Sequence, residues 1–241
     1  MIIEGKNSVL EALKSGMTIN KMFVQKNLTD NASNQIIKIA KDAGVRIDFV
    51  NKELLDNKTK NRHQGFICDV VDFKYAELEE VFDLAKEKEE DPFIVMLDGV
   101  EDPHNVGAII RTCECAGVHG IIIPEHRACL VNDTVVKTSA GATANMKVVK
   151  VGNLNNTIQT LKDRGVWVFC LETGGSKMTK TNLTGPIAIV VGSEGKGVSK
   201  LTRQNCDETI SIDLKGKINS LNASVASAIV VYEIVRQRDV K

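Results

Sequence analysis

The chain has 241 residues, 43% hydrophobic and 26% charged, the make-up of an ordinary globular protein long enough for two domains. No apolar stretch approaches the roughly 20 residues that cross a bilayer, and Met1-Ile-Ile meets Glu4 and Lys6 at once, so neither a membrane span nor a secretory leader is expected. The formal net charge is zero, but it is unevenly spread: Phe73 to Asp91 holds eight acids and three lysines, leaving the rest of the chain at +5.

Residues 1–72 read as a small α/β unit. Ser8, with Glu11 three residues on, is expected to cap a helix Val9–Lys14. A strand follows at Ile19–Val24, a helix at Ala32–Ala43 closed by Gly44, and strands at Val45–Val50 and Phe66–Val71. Residues 73–91 form an acidic linker, as a short amphipathic helix or a flexible connector. From 92 to 241 strand and helix alternate, with strands at Phe93–Leu97, Gly120–Ile123, Val166–Leu171, Ile187–Val191 and Thr209–Ile212. Uninterrupted apolar runs of this kind suit a parallel sheet buried on both faces. The last helix, Ala223–Val235, is apolar on most sides and predicts burial against a second copy, with Val231 at that interface.

The six cysteines (68, 113, 115, 129, 170 and 206) include no CxxC pair and lie mostly in apolar runs. They read as buried thiols of a reducing compartment, the cytoplasm, rather than as a disulfide frame or zinc site. The four histidines do not cluster, so neither a metal nor a histidine base is expected.

Three segments carry the chemistry. Leu97-Asp98-Gly99-Val100-Glu101-Asp102-Pro103-His104-Asn105 is a strand and turn leading into a helix with Arg111 two turns in. Asn105 suits a helix N-cap, while small neighbours at Gly107 and Ala108 would admit a bulky partner beside Arg111. Next, Ile187-Ala-Ile-Val-Val-Gly-Ser-Glu-Gly-Lys-Gly197 has its glycines as G-x-x-G-x-G, so it is neither a dinucleotide fingerprint nor a Walker loop. It sets Glu194 among glycines at a strand end, where backbone can approach a ligand closely. Last, Ser220-Leu-Asn-Ala-Ser224 opens the final helix with more polar groups than the single residue a cap requires.

Together and in this order, the segments resemble the three motifs of the SpoU/TrmH family of RNA ribose 2'-O-methyltransferases, of the SPOUT class. Ile3-Glu-Gly-Lys-Asn-Ser-Val-Leu-Glu-Ala-Leu13 and His63-Gln-Gly65 are similar to its L30e-like RNA substrate-binding domain, so the resemblance spans essentially the whole chain. It implies a SPOUT-type parallel sheet with a C-terminal trefoil knot over 92–241. The implied cofactor is S-adenosylmethionine, the implied assembly a homodimer, and the implied reaction 2'-O-methylation of a ribose. The branch most similar methylates a guanosine in 23S ribosomal RNA; transfer RNA is the alternative, and a non-catalytic RNA-binding protein with a degenerate site is the second.

By the same resemblance Asn105, Arg111, Glu194, Ser220 and Asn222 are the catalytic residues. Leu171, Ile212, Leu214 and Leu221, with Gly192 for backbone access, would hold the sulfonium cofactor in a pocket without a fixed ammonium. An arginine rarely surrenders its proton, so Arg111 is expected to polarise the hydroxyl or clamp a phosphate. In the polar loop Asn57–His63, Lys58, Lys60 and Arg62 suit RNA phosphates. The family usually has proline after the isoleucine of its third motif and valine after the asparagine. This chain has Asp213 and Ala223, which places a charge beside the expected pocket.

Overall fold

The computed structural model of the protein describes residues 2–14, 17–70 and 73–240, which divide into two compact units. The first holds residues up to Lys74, with Val131–Asp133 grouped with them; the second holds Tyr75–Leu130 and the chain from Thr134. The first unit runs β1 (Ile2–Glu4), α1 (Lys6–Lys14), β2 (Ile19–Gln25), α2 (Asn31–Asp42), β3 (Ile47–Val50), α3 (Lys52–Lys58) and β4 (Phe66–Val70). Its sheet has the order β1-β4-β2-β3, with β4 antiparallel to both neighbours and β3 parallel to β2. Val9, Met22, Val24, Ile36, Ala40, Phe66, Cys68 and Val70 form its core. Val71, the expected end of the last strand, lies outside the described residues.

Ser8 does not cap α1. The helix begins at Lys6, because Gly5 at φ +89° turns the chain out of β1 and its carbonyl accepts from Val9 N at 3.0 Å. Other ends follow a rule visible in the sequence. Gly44, Gly117 and Gly165 take positive φ, and the valine after each returns its N–H to the carbonyl five residues back, at 2.9–3.0 Å. This glycine C-cap satisfies orphan helix carbonyls and turns the chain toward a strand. It uses Val45 in the cap, so β3 starts two residues later than expected.

The second unit runs α4 (Leu78–Glu87), β5 (Phe93–Asp98), α5 (Pro103–Cys115), β6 (Gly120–Pro124), α6 (Asp133–Thr138), β7 (Val148–Val151) and α7 (Leu154–Asp163), then β8 (Trp167–Lys177), β9 (Ile187–Gly192), α8 (Lys200–Asn205), β10 (Glu208–Ser211) and α9 (Ala223–Asp239). All neighbouring strands pair in parallel, in the order β10-β8-β9-β5-β6-β7. β5 and β9 are buried along their length up to the last residue of each, as strands covered on both faces must be.

Of the two forms expected for residues 73–91, a short amphipathic helix or a flexible connector, the helix is the one present, as α4. Ala76 N donates to Val148 O at 2.8 Å at the edge of the sheet, and α4, with Val81 and Ala85 buried, puts Val81 in the same core as Ile94, Ile122 and Ile158. Its apolar residues recur at helical spacing and its acids take the other face, so the charge that suggests a solvated connector coats one side of a packed helix. The side chain of Val81 lies where a Cβ on Gly120 would have to sit.

The last helix also differs from expectation. Val231 is fully buried within its own chain, with Val230, Ile234, Ser227 and Ala223. The solvent-facing apolar residues are Val225, Ile229 and Tyr232, at 46%, 37% and 50% exposure. The cysteines divide too: Cys68, Cys113 and Cys170 are buried, Cys129 and Cys206 are half-buried, Cys115 is exposed, and all six are free thiols.

Candidate functional site

The polar segments meet at the carboxyl ends of β5, β8 and β9, where the loops of a parallel sheet gather. The loop after β9 closes on itself: Ser193 N donates to Gly197 O at 3.2 Å and Gly197 N to Ser193 O at 2.9 Å. A Cβ at Gly192 would overlap the Gly197 carbonyl and Val198 N, so only glycine lets the loop fold back this tightly. At the neighbouring strand Thr209 pairs with Cys170 but Ile210 with Ser176, so residues 171–175 leave the ladder as a bulge.

Between bulge and loop lies a cavity of about 350 Å³. Leu171, Gly192, Ile212, Leu214 and Leu221 all line it, with Ser220, Glu194, Ala223 and Ala226. None of its lining residues is lysine or arginine. Asp213 does not line it. Its carboxylate pairs with Lys177 at 2.9 Å and Lys215 at 2.6 Å, and the two ammonium groups hold its pKa down at about 2. The charge that departs from the family motif is neutralised outside the cavity.

At the cavity's edge Asn105, Glu194 and Asn222 form one hydrogen-bonded cluster. Asn105 is not the cap of α5. Asp102 caps it by accepting from His104 N at 3.0 Å, Pro103 opens the helix, and Asn105 is buried in its first turn. Asn105 Nδ2 donates to Glu194 Oε1 at 2.9 Å; Asn222 Nδ2 donates to Asn105 Oδ1 at 2.9 Å and also to Glu194 Oε1. Asn222 Oδ1 meanwhile caps α9, accepting from Ser224 N at 2.9 Å and Val225 N at 3.3 Å. The cap fixes which way the amide faces, so its N–H₂ is aimed at the carboxylate.

Two expected residues stand apart from this cluster. Ser220 is on the cavity wall and makes no hydrogen bond to the three. Arg111 is exposed, lines neither this cavity nor the larger one beside it, and is unpaired among the described residues. Gly107 does not make room for a ligand next to it: a Cβ there would overlap Val135 O and Thr138 of α6, so its smallness serves helix packing.

Glu172 is a residue the sequence reading missed. It follows the apolar run of β8, accepts from Thr173 N at 3.0 Å and Val198 N at 3.1 Å, and fills the space above Gly197 where a Cβ would sit. A carboxylate directly after a buried strand and among glycine-rich neighbours in space was the available signal, but its partner lies 26 residues away.

In the first unit, the two motifs at Ile3 and His63 prove to be one structure. Gln64 Oε1 accepts from Lys6 N at 3.1 Å, Asn61 Nδ2 donates to Glu4, and Gly65 N donates to His63 Nδ1 at 3.0 Å. His63 therefore carries its proton on Nε2, which donates to Asp56 at 2.8 Å. The locked loop leaves Lys58, Lys60 and Arg62 exposed, with Lys58 Nζ over the Phe23 ring at 4.3 Å.

Residues 92–232 match the SpoU rRNA methylase family, and residues 2–76 match the RNA 2'-O ribose methyltransferase substrate-binding domain. A putative TrmH family tRNA/rRNA methyltransferase of Bacillus subtilis, YacO, is 40% identical over 237 residues, covering 98% of this chain and 95% of its own. The crystal structure of the SpoU methyltransferase AviRb from Streptomyces viridochromogenes, in complex with AdoMet, has the same fold at a TM-score of 0.64 and 22% identity, covering 100% of this chain and 91% of that one. The TrmH/SpoU tRNA modifying enzyme of A. aeolicus is 30% identical at a TM-score of 0.57, covering 67% of this chain and 85% of its own. Fold, site and these likenesses define an RNA methyltransferase. The chain belongs to the SpoU/TrmH family.

Proposed function

We propose that this protein is an S-adenosylmethionine-dependent methyltransferase of RNA ribose 2'-hydroxyls, acting on a guanosine of 23S ribosomal RNA. The observation that carries the reading is the juxtaposition of a cavity free of lysine and arginine, with leucine and isoleucine in its walls, with the Asn105–Glu194–Asn222 cluster. Walls without lysine or arginine suit a sulfonium, which a fixed ammonium would repel. Leu171, Ile212, Leu214 and Leu221 would hold the cofactor, with Gly192 giving backbone access and Ser220 at the wall. Bound there, it supplies the methyl group.

The acceptor is a weak acid, so the protein must orient its hydroxyl and stabilise the charge that develops on oxygen. Glu194, fixed by two amides, orients the ribose. Arg111 polarises the hydroxyl or clamps the adjacent phosphate. Its exposed place on α5, the helix packed against α9, leaves it free to serve the site of a second copy. We propose a homodimer on the stripe Val225, Ile229 and Tyr232, because apolar surface aligned along one helix face is buried most simply against a symmetry mate. The 30% identity to a tRNA modifying enzyme favours transfer RNA as the second reading. An intact cluster speaks against a degenerate, purely RNA-binding role.

Mapping ribose methylation across ribosomal and transfer RNA in a strain lacking the protein tests class and substrate together. One guanosine of 23S RNA should lose its methyl group. Calorimetry on the purified protein should detect S-adenosylmethionine, and Arg111→Ala should lower the methylation rate by orders of magnitude at nearly unchanged cofactor affinity. Unaltered RNA in the deletion strain, or no cofactor binding, would refute the assignment.

A further inference from the structure

A second, larger cavity of about 650 Å³ backs onto the first. The two share Ser193, Glu194 and Gly197, so the glycine-rich loop is the wall between them. Their linings differ. The first has carboxylates but no lysine or arginine, whereas the second brings Arg127 and Lys196 together with four carboxylates, Asp98, Glu101, Asp102 and Glu194. The first suits a sulfonium, and the second a ligand that carries both anionic groups and hydrogen-bond donors. The volume is ordinary for a site that takes a small organic group.

The carboxylates of this second cavity are not equivalent. Asp98 accepts from Ser199 N at 2.8 Å, Asp102 caps α5 through His104 N, and Glu194 is held by Asn105 and Asn222. Glu101 also lines the cavity, is exposed, and has no hydrogen bond or ion pair among the described residues. It is a desolvatable acceptor with nothing yet to accept from. Arg127, also in the lining, is exposed, has no hydrogen bond or ion pair among the described residues, and sits at φ +56°, a conformation rare for a non-glycine residue and typical of functional sites.

We propose that this cavity seats the acceptor nucleotide, with Arg127 and Lys196 on the flanking phosphates and Glu101 as the residue that selects guanine. The proposal rests on the methyltransferase reading above. An unpaired RNA base offers its pairing edge to side chains. On guanine that edge carries two adjacent donors, the ring N1–H and the exocyclic amine, which match the two oxygens of one carboxylate. Adenine and cytosine offer an amine beside a bare ring nitrogen, and uracil a single N–H between two carbonyls that a carboxylate repels. Placing the base at Glu101 and the phosphates at Arg127 and Lys196 leaves the ribose at the shared wall, beside Glu194.

The test uses the full chain, S-adenosylmethionine labelled in its methyl group, and total RNA from a strain lacking the protein, digested afterwards to nucleosides. The label should appear in 2'-O-methylguanosine. Glu101→Gln, which replaces one acceptor oxygen with a donor, should lower kcat/KM on that RNA at least tenfold, with cofactor affinity kept as the check on folding. Arg127→Ala should raise KM more than it changes kcat, and reduce the salt dependence of RNA binding by about one counterion. Label in another 2'-O-methylnucleoside, or wild-type kcat/KM for Glu101→Gln, would overturn the proposal and leave the methyltransferase reading intact. No transfer to any RNA, with no binding of the cofactor, would instead overturn that reading and this one with it.

Discussion

Asn222 donates to Asn105 Oδ1 at 2.9 Å across a sequence separation of 117 residues, while its own Oδ1 caps α9. One side chain thus closes a helix and orients the amide that faces Glu194. The last helix and the site are fixed by the same group, so cap and cluster can be separated by mutation.

Asn222→Asp keeps the cap, since aspartate is as good an N-cap as asparagine. It removes the amide donor and sets a second carboxylate against Glu194, which raises the pKa of the pair. Thermal stability should stay within about 1 kcal/mol, whereas the methylation rate at pH 7 should fall by about 10²-fold, the usual cost of one aimed donor. Equal loss of stability and activity would show that the cap alone matters.

The two faces of α9 should respond differently to the same charge. Val231→Glu buries an unpaired carboxylate in the core of the second unit and should cost more than about 4 kcal/mol, so the protein fails to fold. Ile229→Glu, on the exposed stripe, should leave the fold intact and convert a dimer to a monomer in sedimentation velocity. A wild-type protein that sediments as a stable monomer with full activity would remove the dimer from the account.

Replacing Lys58, Lys60 and Arg62 together, each by alanine, should weaken RNA binding and flatten its dependence on salt. Every phosphate that the loop no longer neutralises reduces counterion release by roughly one ion. Cofactor binding in the second unit should be unaffected. RNA affinity at low salt equal to that of the native protein would rule the loop out of RNA binding.

His119 gives the fold a pH dependence of known sign. It is fully buried, with Nδ1 accepting from Phe93 N at 3.0 Å and Nε2 facing Glu90 at 3.1 Å. Burial holds its pKa below the usual value, with Lys88 and Arg238 acting the same way and Glu90 opposing them. The unfolded chain takes up a proton near pH 6.5 while the folded one resists. Its contribution to stability is therefore present above about pH 6.5 and lost as pH falls through the lower, folded pKa. His119→Gln should flatten this acid limb in thermal melts; an unchanged slope would contradict the assignment.

The sequence alone determined the parallel sheet of the second unit. Apolar runs of five or six residues bounded by glycine fit few structures other than buried strands. Leu171, Gly192 and Ile212 end or follow those runs, where chain direction puts them at the carboxyl ends, whereas Leu214 and Leu221 were legible only through the resemblance of the third motif. What lies across the sheet was not legible. Charge marked residues 73–91 as a linker, yet Val81 sits over Gly120, because only the assembled sheet shows which apolar stripe has a surface to cover. The pattern of α9 announced surplus apolar surface, but not that Val231 faces inward and Ile229 outward. That choice depends on which helix face meets the sheet and α5, and a period of 3.6 residues does not specify it. Arg111 shows the same limit from the other side. Its place in a motif was plain from the sequence, and only the tertiary structure revealed that it stands outside the cluster of Asn105, Glu194 and Asn222 within its own chain. Hydrogen bonds between residues about a hundred positions apart are set by packing, and packing is not a local property of the chain.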